Sequence, residues 1–429
     1  MPQVTLSPTR LRPEAHRVVI RPFQIIPPPV PGEPAVRPVR AQRIADTVMA
    51  MDMRTCQSEL GLVSRDFGQR HWQTRRVFIE RFSQVQAALD LPHDLPEAKK
   101  ELIGAYFCHE YSYTSAALMN PSITPHPDQS GLTPGSLRFV MSLRAVGEGH
   151  ISSIAFREGI ITADGGFDLL PQPPFSIAAR ATSLASPETG DCTEAVRFYE
   201  ATLSGTVIFP FTAQQRNGLE DLRLVRMEDE EGPVWCGTYT AYSGQDIASE
   251  LLITRDFKTF RLCAMHGSAA RNKGMALFPR KVNGQYCMIG RQDGENIFFL
   301  RSDDLLTWGE GEMLMAPVHP WELVQMGNCG SPIEIDEGWL LLTHGVGAMR
   351  KYAIGAALLD KNDPSKVLAR SPLPLISPSD EDREGYVPNV VYTCGGTAVG
   401  RRLFVPYGVA DSSVAFAWLE IDEILDSLA

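Results

Sequence analysis

A recurrence constrains this chain more than any other feature. Five short apolar runs, each ending in a polar cluster, follow one another: LRFVMSLRAVGEGH, VWCGTYTAYSGQD, QYCMIGRQDGEN, WLLLTHGVGAM and LFVPYGVAD. Several are followed by a second strand-like run: SELLITRDF, IFFLRSDDL, AIGAALLDK and VAFAWLEID. Aligned on Trp235, Tyr286, Trp339 and Phe404, the spacings are 51, 53 and 65 residues. A period near fifty with several strands per unit marks β-propeller blades, each of which buries its faces only against its neighbours. DFKTF and DLLTW fall at the same place after the second strand of two successive units. About 310 residues are available for such units, enough for five of roughly sixty. The expected fold is all-β, a five-bladed propeller over 115–429. A sandwich or barrel is the alternative, and neither gives so long a period.

Residues 1–114 read differently and are expected to form an N-terminal, mainly helical extension. The lead QIIPPPVPGEPAVRP cannot hold a helix and is expected to run extended over the surface. Downstream, TRRVFIERFSQVQAALDL sets Val77, Phe78, Phe82, Val85 and Leu89 at steps of three and four, one apolar helical face. LPEAKKELIGAYF reads as a second helix with proline near its start. The extension holds no cluster that suggests chemistry, and a homo-oligomer built through it is one expectation.

A net charge of −11 argues against nucleic acid or an anionic membrane surface as the main partner. No run has signal-peptide or membrane-spanning length. The eight cysteines form no CxxC pair and read as buried free thiols, so a cytoplasmic location is the default expectation. The nine histidines show no ligand spacing, and neither metal nor organic cofactor is expected.

In a propeller, loops far apart in sequence meet at one mouth of the central channel. Arg144, Tyr239, Arg291, His344 and Asp411 are then candidates to face a common pocket. The stretch NGLEDLRLVR adds Glu220 and Asp221, two acids side by side where an apolar strand begins. Alone, Asp221 reads as a strand-start acid paired with Arg223 or Arg226. RQDGEN supplies Glu295 and NCGSPIEIDEGW supplies Glu334; a solvated hairpin acid and an edge-strand salt bridge are their plain structural readings. Acids brought by three blades to one hub would suit inverting glycoside hydrolysis, with one proton donor and one water-activating carboxylate about 6.5–9.5 Å apart. Tyr239, Tyr242, Trp321, Tyr386 and Tyr407 are possible stacking platforms for sugar rings, with core packing favoured for Tyr407.

NGLEDLRLVR, GMALFPRKVNGQY, GWLLLTHGVG, GAALLDKNDPSKVLARSPLPLI, REGYVPNVVYTCG and LFVPYGVAD together resemble glycoside hydrolase family 130 in order and spacing, over roughly 120 to 425. The resemblance implies a five-bladed propeller acting on β-linked mannosides with inversion and without metal. It places the general acid at Asp221, acting through a mannose hydroxyl, and a sugar contact at Asp411. Asn120 and Arg144 match pocket positions. Substrate contacts are expected from Asn120, Arg144, Glu220, Tyr239, Tyr242, Lys273, Arg291, His344 and Asp411.

The family holds phosphorylases, which use phosphate as nucleophile, and hydrolases, which use water. Phosphorylases typically carry His before the Arg of the third cluster and Tyr before the next His-Gly; here those places are Gly290 and Thr343. Charge-assisted hydrogen bonds to a dianion are each worth about 1.5–3 kcal/mol, so losing both should weaken a phosphate site. Glu334 also stands where phosphorylases often lack an acid. These departures point to an inverting β-1,2-mannosidase in which Asp221 is the acid and Glu295 with Glu334 hold the water. A phosphorylase retaining Lys273, Lys281 and Arg291, or a mannoside-binding module without turnover, are the alternatives.

Overall fold

A computed structural model describes residues 2–23, 39–183 and 192–429. The Pro-rich stretch 24–38, expected to run extended, lies outside the described residues. The chain divides into two compact units: His16–Ser112 with Pro174–Ala178, and Met1–Ala15 with Tyr113–Pro173 and Ala179–Ala429.

The smaller unit holds four helices, Val39–Ala50, Met53–Phe67, Thr74–Leu89 and Glu97–Tyr106, and an antiparallel pair of strands, Val18–Pro22 and Cys108–Ser112. Asp52 caps the second helix, accepting from the Thr55 amide at 2.8 Å and so satisfying one of its free N–H groups. The third helix buries Phe78, Phe82 and Val85, the three- and four-residue stripe of the sequence. Its backbone lies against Gly104 of the fourth helix, where a Cβ would come within 1.8 Å of the Phe78 carbonyl oxygen. Only glycine permits that approach. Ala41, Ala45, Val48, Phe82, Val85, Leu102, Ile103 and Phe107 close a core of their own.

The larger unit is mostly β. Strand pairing gives sheets of 12, 5, 5, 4 and 2 strands, the last belonging to the smaller unit, and no sheet closes on itself. The repeated sequence runs form antiparallel hairpins: Leu137–Val146 with Ser152–Ile161, Gly232–Tyr242 with Ile247–Thr254, Tyr286–Gly290 with Ile297–Ser302, Gly338–Val346 with Tyr352–Leu359, and Arg402–Val409 with Ser413–Glu420. The aromatic that sets the sequence register fills the core at three of four repeats: Trp235, Trp339 and Phe404 are at most 1% exposed. Trp339 stands edge-on to Phe278 at 5.0 Å and donates its indole N–H to the Lys361 carbonyl at 3.0 Å. A buried indole thereby keeps its one donor satisfied. Thr5–Leu6, placed with the extension by sequence, instead pairs with Ser413–Glu420 in the last sheet.

Two expectations need correction. Cys192 and Cys263, directly opposite in an antiparallel pair, form a disulfide, so not all cysteines are free thiols. Cysteines 71 residues apart carry no spacing signal; only the strand register brings them together. The thiol argument for a reducing compartment therefore fails for this pair. Among the described residues no helix is long and apolar enough to cross a membrane.

Candidate active site

The paired acids of NGLEDLRLVR owe their placement to a break in strand alternation. In a regular strand, neighbours point to opposite faces. Here Gly218–Asp229 pairs with Gly232–Tyr242, but the register slips between Glu220 and Arg223, and Asp221 takes a left-handed φ of 55°. A second bulge lies between Met119 and Ser122, with Asn120 at φ 49°. Bulges turn side chains out of the pleat, and these two aim Asn120 and Asp221 at each other. The Asn120 amide donates to Asp221 Oδ1 at 2.7 Å. Gly218 opens the segment because it passes directly over Ser152, whose Cβ would be 2.8 Å from an added one.

Arg144 holds both acids. Its guanidinium donates to Glu220 Oε1 at 2.6 Å and reaches Asp221 Oδ1 at 3.4 Å, while Nε donates to Ser152 Oγ at 2.9 Å. Arg223, two residues after Asp221, is fully buried; it donates to the Asp221 carbonyl at 2.8 Å and to the Tyr392 hydroxyl at 2.6 Å. Arg291 donates to His344 Nε2 at 3.1 Å, and the His344 ring stacks on Tyr352. These groups line one cavity of about 280 Å³ with Asn120, Lys273, Gln325, Arg350 and Asp411. Five of its cationic side chains (Arg144, Arg223, Lys273, Arg291, Arg350) face two carboxylates, Asp221 and Asp411.

The electrostatics follow from that arrangement. Burial is the largest influence on Asp221 and pushes its carboxyl up, but Arg144, Arg223, Lys273 and the Asn120 hydrogen bond together hold it below the ordinary range. Burial raises Glu220, against the pull of Arg144. Burial and then the Asp221 charge push Asp411 up to about 6. Burial, Arg291 and Arg223 hold His344 well below its ordinary value, so it is a neutral imidazole. With Nε2 accepting from Arg291, the ring proton is assigned to Nδ1.

The structure brings together Asn120, Arg144, Asp221, Lys273, Arg291, His344 and Asp411, with Glu220 behind Arg144. It does not bring the remaining expected residues. Glu334 makes a bidentate pair with Arg280, at 2.7 and 2.8 Å, outside the cavity: the edge-strand salt bridge of its plain reading. Glu295 is exposed in a tight turn whose amide bonds to Asp293 Oδ1 at 2.9 Å. The expectation that these two acids meet Asp221 and hold a water is therefore corrected; the sequence places Glu295 at a strand end and Glu334 on a strand but not which way either side chain faces. Tyr239 is a core residue, its hydroxyl bonded to Glu250 and to Gln215, and Tyr242 closes its own turn on the Gly244 carbonyl at 3.2 Å. Tyr407 is buried at 2% exposure.

Gln325, Arg350, Tyr352 and Tyr392 were not singled out, and Arg223 was weighed only as a pairing partner of Asp221. Arg223 carried a signal in its nearness to Asp221 in the chain; its buried hydrogen bond to the Asp221 carbonyl came only with the structure.

Two positions that had suggested a lost phosphate site also turn away. A Cβ at Gly290 would lie 2.5 Å from Leu300 Cδ1 and 2.6 Å from Gln292 Oε1, neither residue lining the cavity. Thr343 precedes His344 on an unbroken strand and so points to the opposite face, where it is buried near Gly355 and Trp321. Among the described residues no group of three or more His, Cys, Asp or Glu is placed to hold a metal ion.

Comparison with known proteins finds relatives of known activity and solved structures of similar fold. A β-1,2-mannobiose phosphorylase of Listeria innocua serovar 6a is 34% identical over 232 residues, 52% of this chain and 63% of that protein. The match thus spans less than two thirds of that relative. A 1,2-β-oligomannan phosphorylase of Thermoanaerobacter sp. is 34% identical over 217 residues, 50% of this chain and 72% of that one. Among solved structures, the Listeria innocua β-1,2-mannobiose phosphorylase with β-1,2-mannobiose superimposes with a TM-score of 0.51 at 23% identity, covering 73% of this chain and 92% of that chain. A structure described under the hydrolases of this family that target β-1,2 linkages in Candida mannan gives 0.52 at 21% identity, covering 72% and 86%. At such identities the structural likeness concerns the fold alone. The family model described as β-1,4-mannooligosaccharide phosphorylase matches residues 190–429, more than half of the chain. The chain belongs to glycoside hydrolase family 130.

Proposed function

We propose that this chain is an inverting β-mannoside phosphorylase that cleaves β-1,2-linked mannosides with inorganic phosphate. The observation that carries the reading is the surplus of cations in the cavity, five against two carboxylates, in a chain whose net charge is −11. A dianionic nucleophile needs such a surplus, and forked guanidinium donors suit phosphate oxygens. Phosphate brings its own nucleophilic oxygen, so no second pair of acids is needed to activate water. This replaces the hydrolase expected from sequence, which relied on Glu295, Glu334, Gly290 and Thr343. The named relatives, β-1,2-mannobiose and 1,2-β-oligomannan phosphorylases, support the same reaction and linkage.

In this reading the sheets are the blades of a five-bladed propeller. The 12-stranded sheet counts as two blades, joined by a single parallel pairing of Gly218 with Ser152. The mannosyl unit sits over Asp221 and Asn120, where the acid–base work of the site is done. Phosphate lies toward Arg223, Arg291 and Lys273, and neutral His344 donates no charge of its own but fixes Arg291. Consumption of β-1,2-mannobiose by purified protein tests this. Turnover should require phosphate and saturate with it; equal turnover in phosphate-free buffer would return the hydrolase.

A further inference from the structure

The cavity opens beside an apolar rim that neither a mannosyl unit nor phosphate accounts for. Gln325 and Arg350 line the cavity, and the residue before each is an exposed hydrophobic: Val324 is 60% and Met349 92% exposed. Leu323, at 59%, joins them. Single apolar side chains on a surface need no explanation, but several beside a polar site mark a contact. Their exposure is built into the fold. Val318 and His319 donate their backbone N–H groups to Glu322 Oε1, both at 3.1 Å, and Glu322 is buried in a pair with Arg370. The Trp321 ring fills the space over Gly345 and Gly355, where an added Cβ would come within 2.5 and 2.6 Å of its atoms. The Val324 N–H bonds the Val346 carbonyl at 2.9 Å, and a Cβ on Gly347 would lie 3.1 Å from the Trp321 carbonyl oxygen. These contacts set Leu323 and Val324 beside the turn that carries Met349.

That turn accepts a strained backbone in order to show a methionine. VGEGH at 146–150 and VGAMR at 346–350 are sister turns. In each the glycine N–H bonds the carbonyl four residues on, Gly147 to Ile151 at 3.3 Å and Gly347 to Lys351 at 3.0 Å. The fourth residue is left-handed in both, Gly149 at φ 70° and Met349 at φ 57°. Glycine adopts that conformation freely and methionine does not. Almost wholly exposed, the Met349 side chain gains no packing within the chain in return. What it offers is a flexible, polarizable apolar surface, the kind that fits a ligand of variable shape.

The rim also lies on the side where a leaving group belongs. Displacement with inversion sets the nucleophile and the leaving group on opposite sides of the reacting carbon. Arg223 and Arg291, at the phosphate end, are buried, so the leaving group faces the mouth, where Val324 and Met349 stand. We propose that Leu323, Val324 and Met349 seat an apolar aglycone, so that beyond β-1,2-mannobiose the site takes β-mannosides whose leaving alcohol is an alkyl or aryl group. This deepens the phosphorylase reading and rests on it for the side from which the aglycone departs. The occupant is part of the substrate because the rim is continuous with the cavity through Gln325 and Arg350.

Calorimetry in phosphate buffer, comparing methyl β-mannoside with octyl β-mannoside below its micellar concentration, tests the proposal. Each methylene drawn fully out of water strengthens binding by about fourfold, and an open rim covers only part of the chain. The native protein should therefore bind the octyl ligand about 10- to 100-fold more tightly than the methyl one, with the more negative heat-capacity change of apolar burial. The double variant Met349→Gly with Leu323→Ser relieves the left-handed backbone and changes only exposed side chains, so it keeps the fold. It should hold the methyl ligand within about twofold of the native protein and bind the octyl ligand within about threefold of the methyl one. Equal affinity of the native protein for the two ligands, or an octyl advantage that survives in the variant, overturns the proposal. So does a native dimer in sedimentation that the variant dissociates, since the rim then belongs to a second copy of the chain. Binding is read without turnover: an octyl preference lost in the variant, together with phosphate-free cleavage of β-1,2-mannobiose, would refute the phosphorylase reading and leave the aglycone site standing.

Discussion

Replacing Arg144 by Met probes how the site is held together. Arg144 is the cation that touches both acids among the described residues, bonding Glu220 at 2.6 Å and reaching Asp221 at 3.4 Å. Removing one partner of a buried ion pair costs about 3–5 kcal/mol, because the other charge stays buried without compensation. The pH dependence identifies the cause. Glu220 is already raised by burial, and without Arg144 it rises further; a group raised above its unfolded value costs nothing at low pH and destabilises as pH climbs through its titration. Asp221 is lowered partly by Arg144, so that stabilisation, present above the unfolded value, is lost in the variant as well. Both act in one direction: the penalty of Arg144→Met should be small near pH 4 and reach about 3–5 kcal/mol at pH 7. Adding Glu220→Gln should recover about half of it, since a neutral amide needs no counter-ion. Urea unfolding followed by tryptophan fluorescence is a suitable assay, because only Trp72 of the six tryptophans lies in the smaller unit. A penalty under about 1 kcal/mol at pH 7, or one that does not change with pH, would refute the reasoning.

Three further outcomes follow from the geometry. Glu295→Gln and Glu334→Gln should each keep kcat/KM on β-1,2-mannobiose within about twofold, the second losing at most about 1 kcal/mol with its partly exposed Arg280 pair; a hundredfold loss of turnover would restore both as site residues. Trp339→Ala should destabilise the protein by about 3–5 kcal/mol in urea, the usual cost of emptying a fully buried aromatic site. Breaking the Cys192–Cys263 bridge with Cys192→Ser and Cys263→Ser should cost about 2–4 kcal/mol, given the 71-residue separation it spans, and thiol titration of the unfolded native protein should then count six free cysteines.

Much of the strand architecture was legible because it rests on local periodicity. Trp235, Trp339 and Phe404 recur because each hairpin needs a large side chain against its neighbour, and that requirement returns once per repeat, every 51 to 65 residues. Helical spacing likewise marked Phe78, Phe82 and Val85. The site was legible where motifs carried it: NGLEDLRLVR marked Glu220 and Asp221 and LFVPYGVAD marked Asp411, whereas the bulge and the turn that aim them came only with the structure. It was illegible where orientation depends on tertiary packing. Glu295 ends an expected strand and Glu334 lies on one, yet the first turn faces solvent and the second acid is claimed by Arg280, 54 residues away. Gly290 and Thr343 are informative by position alone, but strand alternation turns Thr343 from the cavity and Leu300 fills the space beside Gly290. Arg223 and Tyr392 are 169 residues apart, and no local pattern announces that they share a hydrogen bond.

The central claim is that the cavity's cations seat phosphate as the nucleophile that displaces the second sugar from the far side. Proton and phosphorus NMR of the reaction with β-1,2-mannobiose and phosphate, recorded before any anomeric equilibration, tests it most directly. α-Mannose 1-phosphate and mannose in equal amounts are the expected first products. Two equivalents of mannose with the phosphorus signal unchanged, or a β-configured phosphate ester, would contradict it.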